Sequence, residues 1–112
     1  MAASSVPLLS HPVVATAVLT QFRAVSHAGA IPAAAARCLG FAKTGAAIGE
    51  RIAADIVGTT VAEAGAAIAL GAQLELDASG RVITKAAGVV VASALSAAAA
   101  AGEKIEILLI PN

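Results

Sequence analysis

The chain has 112 residues, of which 59% are hydrophobic and 12% are charged, and its formal net charge is zero. This length predicts a single domain, and zero net charge with only two aromatic residues argues against nucleic-acid binding. A single cysteine, Cys38, excludes an internal disulfide and a cysteine-based zinc site, and is typical of a protein in a reducing compartment.

The shortage of charge predicts that much of the surface is covered in use. A typical soluble domain has about 25% charged residues. A neutral surface with few charges favours association, so we expect contacts with further copies of the chain or with a larger assembly. The longest apolar run, GVVVASALSAAAAAG, is shorter than the roughly 20 residues that a membrane span needs. No Lys or Arg precedes the N-terminal apolar residues, whereas a secretory signal peptide begins with a basic segment. We therefore expect a soluble, intracellular protein without membrane contacts.

Residues 1–12 contain two prolines and three serines, which predicts an extended N-terminal arm rather than a packed element. We expect residues 13–112 to form a single β domain. The β-branched residues of 13–27 predict one or two strands. The segment 28–36 contains Gly29 and Pro32, which both disfavour a helix, so it predicts a turn and a connection.

Glycines recur throughout residues 38–65, and each one would cost about 1 kcal/mol relative to alanine inside a helix. Short strands joined by turns accommodate them, so we predict strands at 39–43, 51–57 and 59–63. Further on, two alternating runs within QLELDASGRVITK flank Asp77 to Gly80. Asp at the start of a type I turn and Gly at its end predict a β-hairpin here.

The C-terminal third combines five alanines, which favour a helix, with GEKIEILLI, which is typical of a strand. The segment 91–110 repeats the order of 39–57: GERIAADIV and GEKIEILLI share Gly, Glu, a basic residue and Ile. We therefore predict a degenerate internal repeat with matched turns at Gly49 and Gly102. Five alanines are too few to nucleate a helix, so we expect a loop or one helical turn there. The predicted fold class is all-β, a small β-barrel-like domain with at most one or two short helical turns.

This succession of motifs resembles the capsid decoration, or cement, proteins of tailed bacteriophages. The features that carry the resemblance are Ile68 to Gly71, Leu74, Asp77 to Val82, and Val89 to Ile110, in that order. The resemblance covers about residues 13–110. It implies a β-barrel-like or β-tulip domain without catalysis, often trimeric, that binds the outside of the major capsid protein shell.

Under the cement-protein interpretation, the chain is a virion protein of the capsid exterior, present in the bacterial host cytoplasm during assembly. It would bridge neighbouring capsomers and stabilise the shell. Because prolines lower the entropy lost on docking, we expect the arm to contact the capsid or a neighbouring subunit. The arm residues expected to make this contact are Val6, Pro7, Leu8, Leu9, His11 and Pro12.

Other functions are open at this point. Another self-assembling subunit, of a tail tube or a bacterial shell, would have a similar composition. A small enzyme or ligand-binding module would have to use Cys38 with His11 or His27. We expect Cys38 to be a small buried hydrophobic residue instead, and we expect no catalytic site, metal or cofactor.

Overall fold

Strands and turns account for the architecture of this chain. The computed structural model describes residues 6–110, and this range contains eight strands and no helix. The strands are β1 (Pro7–Val14), β2 (Ala24–Val25), β3 (Gly40–Ala42), β4 (Arg51–Glu63), β5 (Gln73–Leu76), β6 (Val82–Thr84), β7 (Ala92–Ala94) and β8 (Lys104–Leu109). Accordingly, residues 6–110 offer no helical segment that could cross a membrane.

All strands join one antiparallel sheet in the order β2-β3-β4-β8-β7-β5-β6, and β1 pairs with β4. The sheet curls into a half-barrel, so the predicted all-β, barrel-like fold is confirmed. The long strand β4 is its centre. Its first part pairs with β1 and β3, and its second part pairs with β8.

Gly58 lies inside β4, where the sequence predicted a break between two strands. That prediction is wrong, because β4 continues through this residue with a φ of 102°. This left-handed conformation suits glycine, which has no Cβ. A Cβ here would lie 2.5 Å from the carbonyl oxygen of Val6, so the absence of a side chain also lets β1 approach. The glycine thus produces an irregularity in the β1–β4 pairing instead of a turn.

The N-terminal segment is a strand of the sheet from Pro7 onward. The arm boundary expected at residue 12 falls inside β1, which pairs with β4 from Pro7 to Val14. Extended backbone was expected, but its docking on β4 was not. Of the strands expected in 13–27, only the end of β1 and the two-residue β2 are present.

The hairpin predicted between residues 73 and 85 is confirmed, since β5 and β6 pair antiparallel with Leu76 opposite Val82. In the turn, Oδ1 of Asp77 accepts hydrogen bonds from the amides of Ser79 and Arg81, both at 2.9 Å. Gly80 has a φ of 80°. The strand interpretation of the C-terminal segment is also confirmed, because β8 pairs with both β4 and β7 and the alanines before it form turns.

The same backbone hydrogen-bond pattern occurs twice along the chain, in a first half (residues 13–54) and a second half (residues 62–107). Leu19 and Ala46 exchange two hydrogen bonds in the first half, as Ile68 and Ala98 do in the second. Equivalent bonds of 2.8 Å join Ala15 N to Glu50 O and Ala64 N to Glu103 O. These bonds support the internal repeat proposed from the sequence. They also extend it to the beginning of each half, where sequence similarity is weak.

Two apolar cores use eight equivalent positions of the two halves, and the second core also takes in residues of the first half. The first contains Val13, Ala15, Leu19, Val25, Ala42, Ala46, Ile52 and Ala54. The corresponding positions in the second core are Ala62, Ala64, Ile68, Leu74, Ala94, Ala98, Ile105 and Ile107. The second core also includes Phe41, Leu76 and Val82 and is the larger of the two. Strand β4 contributes to both cores and so connects the halves.

Candidate docking surface

Strand β1 presents apolar side chains to solvent, although such side chains are usually buried. Leu8 is 75% exposed, Leu9 is 52% exposed, and Val6 just before the strand is 62% exposed. Val57, which lies opposite Leu9 on β4, is 41% exposed. These four exposed apolar residues, at the beginning of β1 and on the paired part of β4, are here called the docking strip. The whole of β1 contains no Asp, Glu, Lys or Arg.

Backbone pairing holds the docking strip in place. Val6 N–H donates to Oγ1 of Thr59 at 2.8 Å, and Thr59 N–H donates to the carbonyl oxygen of Val6 at 3.1 Å. From Ser10 to Val14 the register with β4 is regular. The backbone is therefore paired on both sides of Leu8 and Leu9, where the register itself is irregular.

A buried carboxylate fastens β1 to β4. Asp55 has no exposed surface, and its Oδ1 accepts a hydrogen bond from the Ser10 hydroxyl at 2.7 Å. Its Oδ2 accepts one from the Thr60 hydroxyl at 2.9 Å, and Lys43 Nζ lies 3.5 Å from Oδ1. A buried charge is tolerated only when it is paired and hydrogen-bonded in this way. Asp55 thus orients the middle of β1.

The arm residues expected to make contacts differ in accessibility. Val6, Leu8, Leu9, His11 and Pro12 are exposed, and Pro7 is half-buried. His11 and Pro12 also border a shallow cavity of about 300 Å³, with Val13, Val14, His27, Ala28 and Leu39. The four residues expected in turns lie in turns: Gly49 and Gly102 have φ values of 92° and 90°, and Asp77 and Gly80 form the hairpin loop.

A second polar cluster lies around Glu63, at the end of β4. Arg23 donates to both carboxylate oxygens of Glu63 at 3.2 Å. Arg81 and Lys104 approach the same carboxylate at 3.9 Å, and Arg81 also pairs with Asp77 at 3.0 Å. Five charged residues of this chain thus lie together around the Glu63 carboxylate.

The fold places His27 and Cys38 on one cavity of about 240 Å³, between β3, β4 and the C-terminal end of β8. Cys38 is 4% exposed and belongs to the second core, as expected for a small hydrophobic residue. The rest of the lining is mainly aliphatic, including Leu39, Ile56 and Leu109. Within residues 6–110, no three His, Cys, Asp or Glu side chains come together as metal ligands.

Sequence reasoning missed Val14 and Val57 as exposed residues, and it missed Asp55 as the fastening group. Val14 is 46% exposed. Both valines lie in segments that predict strands, and a single apolar position gives no sign of which face it occupies. Asp55 did carry a signal, because it is the only charged residue in the apolar stretch from 52 to 62. A charged residue inside a buried strand implies a compensating partner.

Comparison with solved structures shows where this fold occurs. One similar structure is described as the crystal structure of head fiber gp8.5 N base in bacteriophage phi29, with a TM-score of 0.77. The match covers 91% of this chain and 93% of that chain at 14% sequence identity, so it shows a shared fold. A comparison with curated proteins finds no match.

The sequence itself matches a family model over nearly its whole length. The family is described as phage cement protein, and the match spans residues 5–109. This range includes the docking strip, both halves and the hairpin between β5 and β6. The family resemblance inferred from the motifs is therefore confirmed. The chain belongs to the phage cement protein family, and it is a structural protein associated with the phage capsid.

Proposed function

We propose that this protein binds the outside of the assembled capsid shell as a homotrimer, contacts the major capsid protein, and stabilises the shell by bridging neighbouring capsomers. It does so without catalysis and without a cofactor. The observation that carries the proposal is the docking strip, a set of exposed apolar side chains of which all but Val57 lie on or just before β1, a strand without charged residues. Membership of the cement family makes the capsid its natural partner.

The energetic argument for shell stabilisation is mass action. A protein that binds only the assembled lattice adds its binding free energy to the stability of that lattice. Burial of apolar surface contributes about 25 cal/mol per Å² before the costs of association are subtracted. Leu8 and Leu9 are suited to this role because β1 is paired with β4 on both sides of them, which reduces the backbone entropy lost on docking.

The composition of β1 further supports a protein partner. His11 and Pro12 are exposed further along the same strand and are available for a contact with a neighbouring subunit or the capsid. Tail-tube and bacterial-shell subunits would share these features of composition. The family match favours the capsid over either.

Binding to capsids that lack the protein tests the proposal. The variant with Leu8→Asp and Leu9→Asp places charges in the docking strip, and we expect its capsid occupancy in a sedimentation assay to fall at least tenfold. A matched control carries Val18→Asp and Ile48→Asp, two side chains that are 65% and 69% exposed and lie beyond the other end of β1. The control should bind as the wild type does.

Substitutions are preferable to deletion of residues 2–12. Removal of Ser10 would take a hydrogen bond from Asp55, and removal of Pro7 to Pro12 would uncover one side of β4. Such a deletion would affect both folding and docking, so a fall in its capsid occupancy would not show which of the two was lost. Unchanged occupancy of the Leu8 and Leu9 variant, with wild-type folding, would reject the docking strip as the capsid contact.

A further inference from the structure

One contact inside the chain joins a turn of the first half to a strand edge of the second half. The turn is residues 20–23, and the edge is the side of β4 between residues 59 and 63 that faces away from β8. The carbonyl oxygen of Phe22 accepts a hydrogen bond from Glu63 N–H at 2.9 Å. The Arg23 side chain adds two bonds of 3.2 Å to the Glu63 carboxylate. This contact covers the end of the edge, where Val61 is half-buried and Glu63 is buried, whereas Thr59 at its start bonds to Val6.

Both partners of this contact have an equivalent in the other half. The turn equivalent to residues 20–23 is 69–72, since Phe22 N donates to Ala42 O and Gly71 N donates to Ala94 O. The bonds from Arg23 N to Thr20 O and from Ala72 N to Ala69 O also correspond. The edge residues equivalent to 59, 61 and 63 are Ser10, Pro12 and Val14 of β1. The reason is that β1 pairs with the first part of β4 in the same register in which the second part of β4 pairs with β8.

The equivalent turn and the side chains of the equivalent edge are exposed, although Gly29 lies against the carbonyl oxygen of Val14. Ser10, Pro12 and Val14 are exposed, whereas their counterparts on β4 are half-buried or buried. On the turn, Leu70 is 69% exposed, and nothing lies within 4 Å of a Cβ placed on Gly71. Alternate residues of a strand direct their amides to opposite sides. Because Ala15 N–H bonds to Glu50 O across the β1–β4 pair, Val14 N–H points to the outer side of β1.

The residues of the turn 69–72 and of the edge 10–14 both differ in charge from their equivalents in the internal contact. The ion pair Arg23–Glu63 of the internal contact is replaced by Ala72 at the turn and Val14 at the edge. Gln21 is replaced by Leu70, and Phe22 is replaced by Gly71. A turn without charge therefore corresponds to an edge without charge. This match is what two surfaces need if they meet each other, since an unpaired charge on either would disfavour the contact.

We propose that the turn 69–72 of one copy docks on the outer edge of β1, residues 10–14, of a second copy, and repeats the internal contact between the halves. This inference deepens the proposed function, because it rests on the proposed trimer and assigns its interface. The carbonyl oxygen of Gly71 would accept a hydrogen bond from Val14 N–H of the neighbour. Leu70, at the position of the exposed Gln21, would lie beside the apolar side chains of Pro12 and Val14.

Such a contact is head-to-tail, because each copy supplies a turn on one side and an edge on the other. Head-to-tail contacts form closed rings when the rotation between copies permits closure, as the proposed trimer requires. The contact also satisfies an open strand edge, which otherwise tends to pair with foreign chains. It leaves Val6 and Leu8 at the beginning of β1 available for the capsid.

Cross-linking of mixed single-cysteine variants tests the contact. Val14→Cys and Leu70→Cys are made separately in a Cys38→Ala background, and the two proteins are mixed and treated with a short bismaleimide. We expect dimers that contain one copy of each variant, because the turn of one copy lies on the edge of the other. Either variant alone should give no cross-linked dimer. A cross-link of Val14→Cys copies with one another, or no cross-link in the mixture, would overturn the proposal.

Light scattering coupled to size exclusion gives the second measurement. The wild type should run as a multiple of its chain mass of 10.8 kDa, and Val14→Glu should run as a monomer with a wild-type circular-dichroism spectrum. Val18→Glu is the matched control, since Val18 is 65% exposed and its equivalent Ala67 stays exposed beside the internal contact. It should keep the wild-type mass. A wild type that is monomeric yet binds capsids would reject this interface and leave the capsid function standing.

Discussion

Phe22 and Gly71 occupy equivalent positions in the two halves, and both have a left-handed backbone, with φ values of 67° and 81°. Their amides make the same hydrogen bond, to Ala42 O at 3.0 Å and to Ala94 O at 2.8 Å. Glycine adopts this conformation freely, whereas a residue with a Cβ is strained by roughly 1–2 kcal/mol. The left-handed strain is therefore present at Phe22, whose turn contacts β4. It is absent at Gly71, whose turn is exposed.

A first prediction follows for the backbone at Phe22. Phe22→Gly and Phe22→Ala remove the same ring, but only glycine also relieves the left-handed strain. We expect Phe22→Gly to be more stable than Phe22→Ala by about 1 kcal/mol in urea unfolding. At the neighbouring Gln21, which does not have a positive φ, the order should reverse, with alanine the more stable. Equal stability of the two Phe22 variants would argue against the left-handed conformation.

A second prediction concerns the buried carboxylate of Asp55. Asp55→Ala leaves the Thr60 hydroxyl, in a residue that is 5% exposed, without its acceptor. We expect a loss of about 1–3 kcal/mol in the free energy of unfolding. Lys43→Met should cost less than Asp55→Ala, because Asp55 loses its partly exposed counter-charge but keeps both hydroxyl hydrogen bonds. Similar losses for both variants would mean that the ion pair, and not the hydroxyl bonds, holds β1.

A third prediction concerns pH. Glu75 accepts hydrogen bonds from the amides of Ala86 at 2.6 Å and Gly88 at 3.0 Å. These amides, with a smaller contribution from Lys85, hold the pKa of Glu75 below its ordinary value of 4.5. A lowered pKa stabilises the fold above pH 4.5, and this contribution is lost as the pH falls through the folded pKa.

The measurement for Glu75 is the unfolding free energy of the wild type and of Glu75→Gln between pH 7 and pH 3. The wild type should be the more stable at pH 7, and the difference should shrink as the pH falls below 4.5. Glu106→Gln is a suitable control on β8. A difference for Glu75→Gln that stays constant across this range would contradict the lowered pKa.

A fourth prediction concerns the matched turns at Gly49 and Gly102. Both have a left-handed backbone, and a Cβ placed on either would meet nothing within 4 Å. Substitution by alanine should therefore cost only the conformational strain, about 1 kcal/mol at each position. Asparagine tolerates this conformation better, so Gly102→Asn should cost less than Gly102→Ala. Denaturant midpoints measure both, and costs well above this would indicate a steric role for these positions.

Much of the fold could be predicted from local chemistry. The sequence from Asp77 to Gly80 predicts its hairpin because Asp and Gly have defined roles in a turn. The strand after Gly102 could be predicted because five alanines cannot nucleate a helix alone. The family resemblance depended on the order of these elements along the chain.

Other features depend on tertiary contacts and have no local signal. Gly58 is typical of a turn, and only the approach of Val6 and Pro7 to β4 makes it an irregularity within a strand. The prolines at 7 and 12 predict an extended arm, but they do not reveal that the arm pairs with β4. The docking strip was predicted in part, since Val6, Leu8 and Leu9 stand together in the sequence. Val57 is distant from them in the sequence, and it lies beside them only because it pairs with Leu9 across β1 and β4.

The thermal stability of the shell tests the central claim most directly. Empty capsids that lack the protein are heated in a calorimeter with and without it, and the Leu8→Asp, Leu9→Asp variant serves as the comparison. We predict that the wild type raises the temperature at which the shell disrupts, in proportion to its occupancy, and that the variant leaves it unchanged. Full occupancy by the wild type with no change in the disruption temperature would contradict a stabilising function.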